Sequence, residues 1–86
     1  MNISAANTFT DPVLVQGENT FDISIRGTFA ATVFVQRSKD GVTWLDVESF
    51  TAPVEKSGRS GSAWYYRAGV KTGGYTSGTA SVDIYE

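Results

Sequence analysis

The chain has 86 residues, 7 of them basic and 9 acidic, for a formal net charge of -2. It contains neither cysteine nor histidine, which removes disulfide scaffolds, thiolate and imidazole metal sites, cysteine nucleophiles and Ser-His-Asp triads. The length allows one domain, and the mild acidity argues against a nucleic-acid partner, which needs a basic face to release counterions from phosphates.

Residues 1–10 are polar and aperiodic and read as an N-terminal arm or a short edge strand, with 11–86 as the single folded domain. They lack the basic and apolar segments of a signal peptide, so synthesis in the cytosol is expected. No apolar run approaches the length of a membrane span. Pro12 to Val15 reads as a first strand, ended by Gln16-Gly17. Phe21 to Arg26 alternates apolar and polar, which turns Phe21, Ile23 and Ile25 to a core, and Gly27 is expected to end it. Ala31 to Arg37 forms the next strand. Ser38-Lys39-Asp40-Gly41 is a turn signal, in which Asp40 bonds nearby amides and Gly41 supplies a positive φ. Val42 to Phe50 returns, with Pro53 marking its end. Ser57 to Ser62 reads as a flexible loop, Ala63 to Val70 as a strand, and Thr72 to Gly78 as a Gly-rich loop around Tyr75. Ala80, Val82 and Ile84 face inward on the last strand.

Composition agrees with this pattern. There are 9 Val, 10 Thr and 5 Phe against only 2 Leu and 1 Met, a strand-forming rather than helical balance. Six to seven short strands without a helical period predict an all-β antiparallel two-sheet sandwich of the immunoglobulin or fibronectin-III kind, with a small barrel as the alternative.

Pairing Ser38 with Val42 sets Val35 opposite Leu45 and Val33 opposite Val47, all four on the core face. Phe34 and Trp44 then share the outer face among Gln36, Asp46, Thr32 and Glu48. Two large aromatics on a polar face mark an interaction surface, unless the N-terminal arm or a loop covers them. Tyr65 is expected to point outward beside Arg67. Trp44, Tyr65 and Tyr75 would be the residues of a sugar-stacking platform, against ordinary cross-strand pairing. Arg67 is placed either in a partner contact or in a pair with Asp83.

Little here is suited to catalysis. Asp46 and Glu48 lie two apart on one strand face, without the burial that a general acid needs. Neither Gly-rich stretch has the spacing of a phosphate loop, and no carboxylates have calcium-loop spacing. The expectation is a non-enzymatic protein with no cofactor and no metal.

Ser38 to Trp44 resembles a shortened Asp-box, the hairpin motif of sialidases and other β-proteins, lacking the residue between Asp and Gly; that motif is a folding element and implies no sialidase activity. Val35 to Val47 and Tyr66 to Thr79 resemble small proteins encoded among the structural genes of tailed bacteriophages. The second stretch is also similar to the last two strands of a fibronectin-III domain, although the core tryptophan of that domain's second strand is missing. The phage resemblance implies a virion component made in the host cytoplasm: a capsid decoration (cement) protein that stabilises the head shell, or a small tail component or host-surface carbohydrate-binding module. It implies the major capsid protein or other virion subunits as partners, with self-association on symmetry axes, and no direct nucleic-acid or membrane contact. Phe34 and Trp44 would be the apolar anchors, with Tyr65, Arg67 and Tyr75 as secondary contacts.

Overall fold

A computed structural model describes residues 1–86. Two long strands dominate it, β4 (Thr20–Ser38) and β7 (Trp64–Tyr85). They pair antiparallel from Asp22↔Tyr85 to Ser38↔Tyr65. The other edge of β4 carries β6 (Val54–Arg59) along its first residues and β5 (Leu45–Phe50) along its last. The other edge of β7 carries β1 (Asn2–Ile3), β2 (Thr8–Phe9) and β3 (Val13–Val15).

The result is one seven-stranded antiparallel sheet. The expected all-β class holds, but the hydrogen-bonded ladder is continuous rather than divided between two sheets. The strands expected at 21–26 and 31–37 are a single strand. Gly27 does not end it, because the alternation runs through: Phe29 and Ala31 still pack against the core. Gly27 instead lets the strand pass close to β7, at φ 105°, where a Cβ would lie 2.5 Å from the Thr79 carbonyl oxygen. Residues 72–78 are likewise part of β7 rather than a free loop. The register moves from Val33↔Val70 to Ala31↔Tyr75, so the excess of Gly-rich residues is absorbed as an irregularity within the ladder.

Alternation explains the core. Phe21, Ile23, Ile25, Val33 and Val35 of β4 meet Tyr66, Ala68, Val70, Ala80, Val82 and Ile84 of β7 in one buried cluster. The Phe21 and Tyr66 rings, from opposite ends of the ladder, are 4.3 Å apart. The sheet therefore folds over on itself and encloses its own inner face. Residues 1–10 belong to that structure, with Ile3 only 1% exposed in the core and both short strands hydrogen-bonded to β7.

The β4–β5 pairing departs from the expected register. Arg37 is opposite Leu45 and Gln36 opposite Asp46; a bulge then sets Val35 opposite Glu48 and Val33 opposite Phe50. Leu45 and Val47 are consequently not core residues but 52% and 48% exposed. Phe50 and Val54 pack against the core in their stead. The cause is a turn longer than three residues: β5 starts at Leu45 rather than Val42. The segment read as a loop from Ser57 begins inside β6, paired with β4 up to Arg59.

Candidate functional site

The turn after β4 is built as its residue types require. Ser38 Oγ donates to Asp40 Oδ1 at 2.8 Å and accepts from the Gly41 amide at 2.9 Å. The Val42 and Thr43 amides both donate to Asp40 Oδ1 at 2.9 Å, and Gly41 adopts φ 77°. Those amides hold the Asp40 carboxyl down at about 2, below its ordinary 3.8. The turn delivers Trp44 to the outer side of the sheet, next to the start of β5.

Arg67 of β7 stands on that outer face between two rings. Its guanidinium carbon lies 4.0 Å from the Phe9 ring centroid and 4.3 Å from that of Trp44. Gly69 makes the arrangement possible: it pairs with Phe9, and a Cβ there would run into the Thr8 carbonyl and the Phe9 backbone. Arg67 Nε donates to Gln36 Oε1 at 2.9 Å, and Gln36 Nε2 donates to Asp46 Oδ1 at 2.9 Å. Lys71 Nζ closes the chain at 2.9 Å from Asp46 Oδ2 and sits 4.4 Å from the Phe34 ring centroid. Hydrogen bonds from Lys71 and then Gln36 hold the Asp46 carboxyl below its usual range. Desolvation lowers the Arg67 pKa from its ordinary value.

Phe34 and Trp44 thus share the outer face, as their spacing predicts, although the register that puts them there differs. Both are half-buried, and each lies under a cation. Tyr65 is half-buried on β7, opposite Ser38 and Leu14. Tyr75 does not join them. Its ring packs against the core and its hydroxyl donates to the Gly78 carbonyl at 2.9 Å, because the β7 irregularity sets it opposite inward-facing Ala31. A platform of Trp44, Tyr65 and Tyr75 is therefore not assembled. Arg67 does not pair with Asp83, which is taken by the Met1 amine at 2.7 Å and by Arg26 at 3.8 Å.

Sequence reasoning missed Phe9 and Lys71 as members of this site, and it placed Gln36 beside the aromatics without its bond to Arg67. Phe9 belonged to a segment without periodicity, and only Gly69, the one residue without a side chain in the otherwise regular strand 64–70, hinted at close cover from outside. The cluster borders an open cleft of about 430 Å³ lined by Asn7, Phe9, Gln36, Val42, Trp44, Arg67, Lys71 and Thr72.

The chemistry of this face is that of contact rather than catalysis. It offers aromatic area, a positioned guanidinium and an ammonium. Asp46 and Glu48 do not form a carboxylate pair: the bulge separates them, Asp46 joins Lys71, and Glu48 joins Lys56 at 2.5 Å. A lowered Asp46 is the reverse of what a general acid at neutral pH requires. Comparison with protein-family models, curated proteins and solved structures returned no match.

Proposed function

We propose that this chain is a structural protein of a tailed-bacteriophage virion, a capsid decoration (cement) protein that binds folded subunits and stabilises the head shell. Its folded sheet serves as a two-layer sandwich that presents the outer face of β2, β4, β5 and β7 to a neighbouring virion subunit. The observation that carries the reading is Arg67, held between the Phe9 and Trp44 rings on the outer face of the sheet. Arginine and tryptophan are the residues most enriched at interface hot spots. Stacking and the Gln36 bond fix the guanidinium beforehand, so docking loses less side-chain freedom. The resemblance of 35–47 and 66–79 to phage structural proteins supplies the partner class. The mechanism is mechanical: bridging adjacent subunits means that pressure from packaged DNA must break more contacts.

The test is to mix the purified protein with phage capsids lacking it and measure bound copies and rupture temperature. Saturable binding at a symmetry-related copy number with a higher rupture temperature is expected. The Phe34→Ser/Trp44→Ser variant, folded by circular dichroism, should lose that binding. Absence of binding to the shell, or a few copies at the tail only, would overturn the cement role in favour of a tail component. The carbohydrate-binding alternative has weaker support, since Arg67 lies over the Trp44 ring that a sugar would stack on.

A further inference from the structure

We propose that the Arg67 face takes a second copy of this chain, whose Asp22 and Glu55 carboxylates, on the opposite outer face, meet the Arg67 guanidinium. The inference deepens the proposed docking role and rests on reading that face as an interface.

The first observation is an incomplete charge pairing. Lys71, Lys56 and Arg59 each contact a carboxylate, and Arg26 lies 3.8 Å from Asp83. Arg67 has none. Only its Nε is hydrogen-bonded, to a neutral amide, which leaves both terminal nitrogens without an acceptor in the chain. That end-on pair is the fork that a carboxylate fits bidentately.

The second observation is the converse, on the other stretch of sheet. Asp22 lies on β4 opposite Ser57, and Glu55 lies on β6 opposite Ser24, so the two carboxylates are diagonal neighbours on one face. Neither meets a cation; Glu55 accepts only the Ser24 hydroxyl at 2.8 Å. Arg26 and Lys56 border the same open surface but face Asp83 and Glu48. Tyr85, paired with Asp22 and 53% exposed, adds an aromatic ring beside the acids.

Geometry fixes the kind of contact. The odd residues of β4 point into one shared core from both ends of the strand, so its even residues point away from that core on opposite sides. Asp22 and Gln36 mark those two sides. A copy cannot present both surfaces to the same neighbour, so the association is heterologous, head to tail. It extends into a ring or an open chain rather than closing as a two-fold dimer. Copies linked this way would tie a shell together laterally.

The test uses the purified full chain alone, by sedimentation equilibrium at low and high salt. The weight-average mass should rise with concentration past two copies at low salt and fall towards one copy at ~1 M salt, where charges are screened beyond about 3 Å. Arg67→Met should be monomeric, as should Asp22→Asn/Glu55→Gln. The decisive step mixes the two variants. One retains only the acidic face and the other only the arginine face, so at low salt they should form a heterodimer that stops at two copies. Because those acidic positions are exposed, that double variant folds independently of the arginine cluster, and recovery of the heterodimer certifies both partners as folded. A wild-type chain that stays monomeric, a mass that levels off at a dimer, or variants that associate like wild type would each overturn the inference. Capsid binding by a monomeric chain would overturn it alone. Head-to-tail association without capsid binding would overturn only the cement role.

Discussion

The β4–β7 ladder has two stretches that are alike inside and unlike outside. Near β6, Phe21, Ile23 and Ile25 face the core; near β5, Val33 and Val35 do the same, with β7 contributing apolar residues to both. Outside, the first stretch shows Asp22, Ser24 and Arg26, ordinary charges and hydroxyls. The second shows Phe34 and Gln36, with Arg67 stacked between Phe9 and Trp44. Burial leaves the inside one solution, apolar at every second residue. Water tolerates any polar exterior; the first stretch adds only Tyr85 to its charges, whereas the second gathers Phe9, Phe34 and Trp44 around two cations, and the proposed capsid contact rests on that cluster.

The largest expected effect contrasts the two faces of β4 directly. Ile25 is fully buried, and Ile25→Ala should cost about 2–5 kcal/mol. A chain of this size has only about 4–13 kcal/mol in total, so Tm should fall by ~8 °C or more. Phe34→Ser on the outer face should cost no more than about 1 kcal/mol while impairing binding. Chemical denaturation of both variants checks this; equal losses would mean that Phe34 is a core residue and not an anchor.

A smaller effect separates two glycines. Gly69 leaves room for β2, and Gly69→Ala forces a side chain into the Thr8 and Phe9 backbone. It should cost about 1–3 kcal/mol, detach Phe9 from Arg67 and weaken binding. Gly61 faces open space, and Gly61→Ala should stay within about 0.5 kcal/mol of wild type. Thermal unfolding, together with amide exchange at Thr8 and Phe9, distinguishes these outcomes. Protected amides in Gly69→Ala would show that β2 does not depend on the missing side chain.

The same contrast explains what was legible in the sequence. Inward alternation identified Phe21, Ile23, Ile25, Ala80, Val82 and Ile84, because a period of two is imposed by backbone geometry itself. The register after the Asp40 turn was not legible. Its loop length depends on how many amides Asp40 gathers, and a bulge at Val35/Gln36 adds a residue that no alternation announces. A three-residue turn that pairs Ser38 with Val42 therefore puts Leu45 and Val47 in the core, where the longer turn and the bulge do not. Gly27 was read as a terminator although φ 105° within a strand serves close approach equally well. The site was half legible: Phe34, Trp44 and Arg67 were named, but Phe9 reaches them only through the pairing of β2 with Gly69, a contact across 60 residues.

The smallest expected effect concerns the turn that belongs to the β5 stretch alone. Asp40 titrates at about 2 when folded, against an ordinary 3.8, because the Thr43 and Val42 amides and the Ser38 hydroxyl all bond its charged form. With the folded value depressed, the stabilisation is complete above about pH 4 and is lost as pH falls through 2. Asp40 is exposed, so the effect on global stability is minor and the effect on local order is the better readout. The Val42 and Thr43 amide resonances should shift with a midpoint near pH 2, and Ser38→Ala should raise that midpoint. Asp40→Asn keeps an oxygen acceptor but no titrating charge, so its amides should not respond over this range. A wild-type midpoint near 3.8 would mean that those amides do not hold the carboxylate. The turn would then no longer account for the placement of Trp44 beside Arg67, and covering of the Trp44 ring by Arg67 would have to be what orders the turn instead.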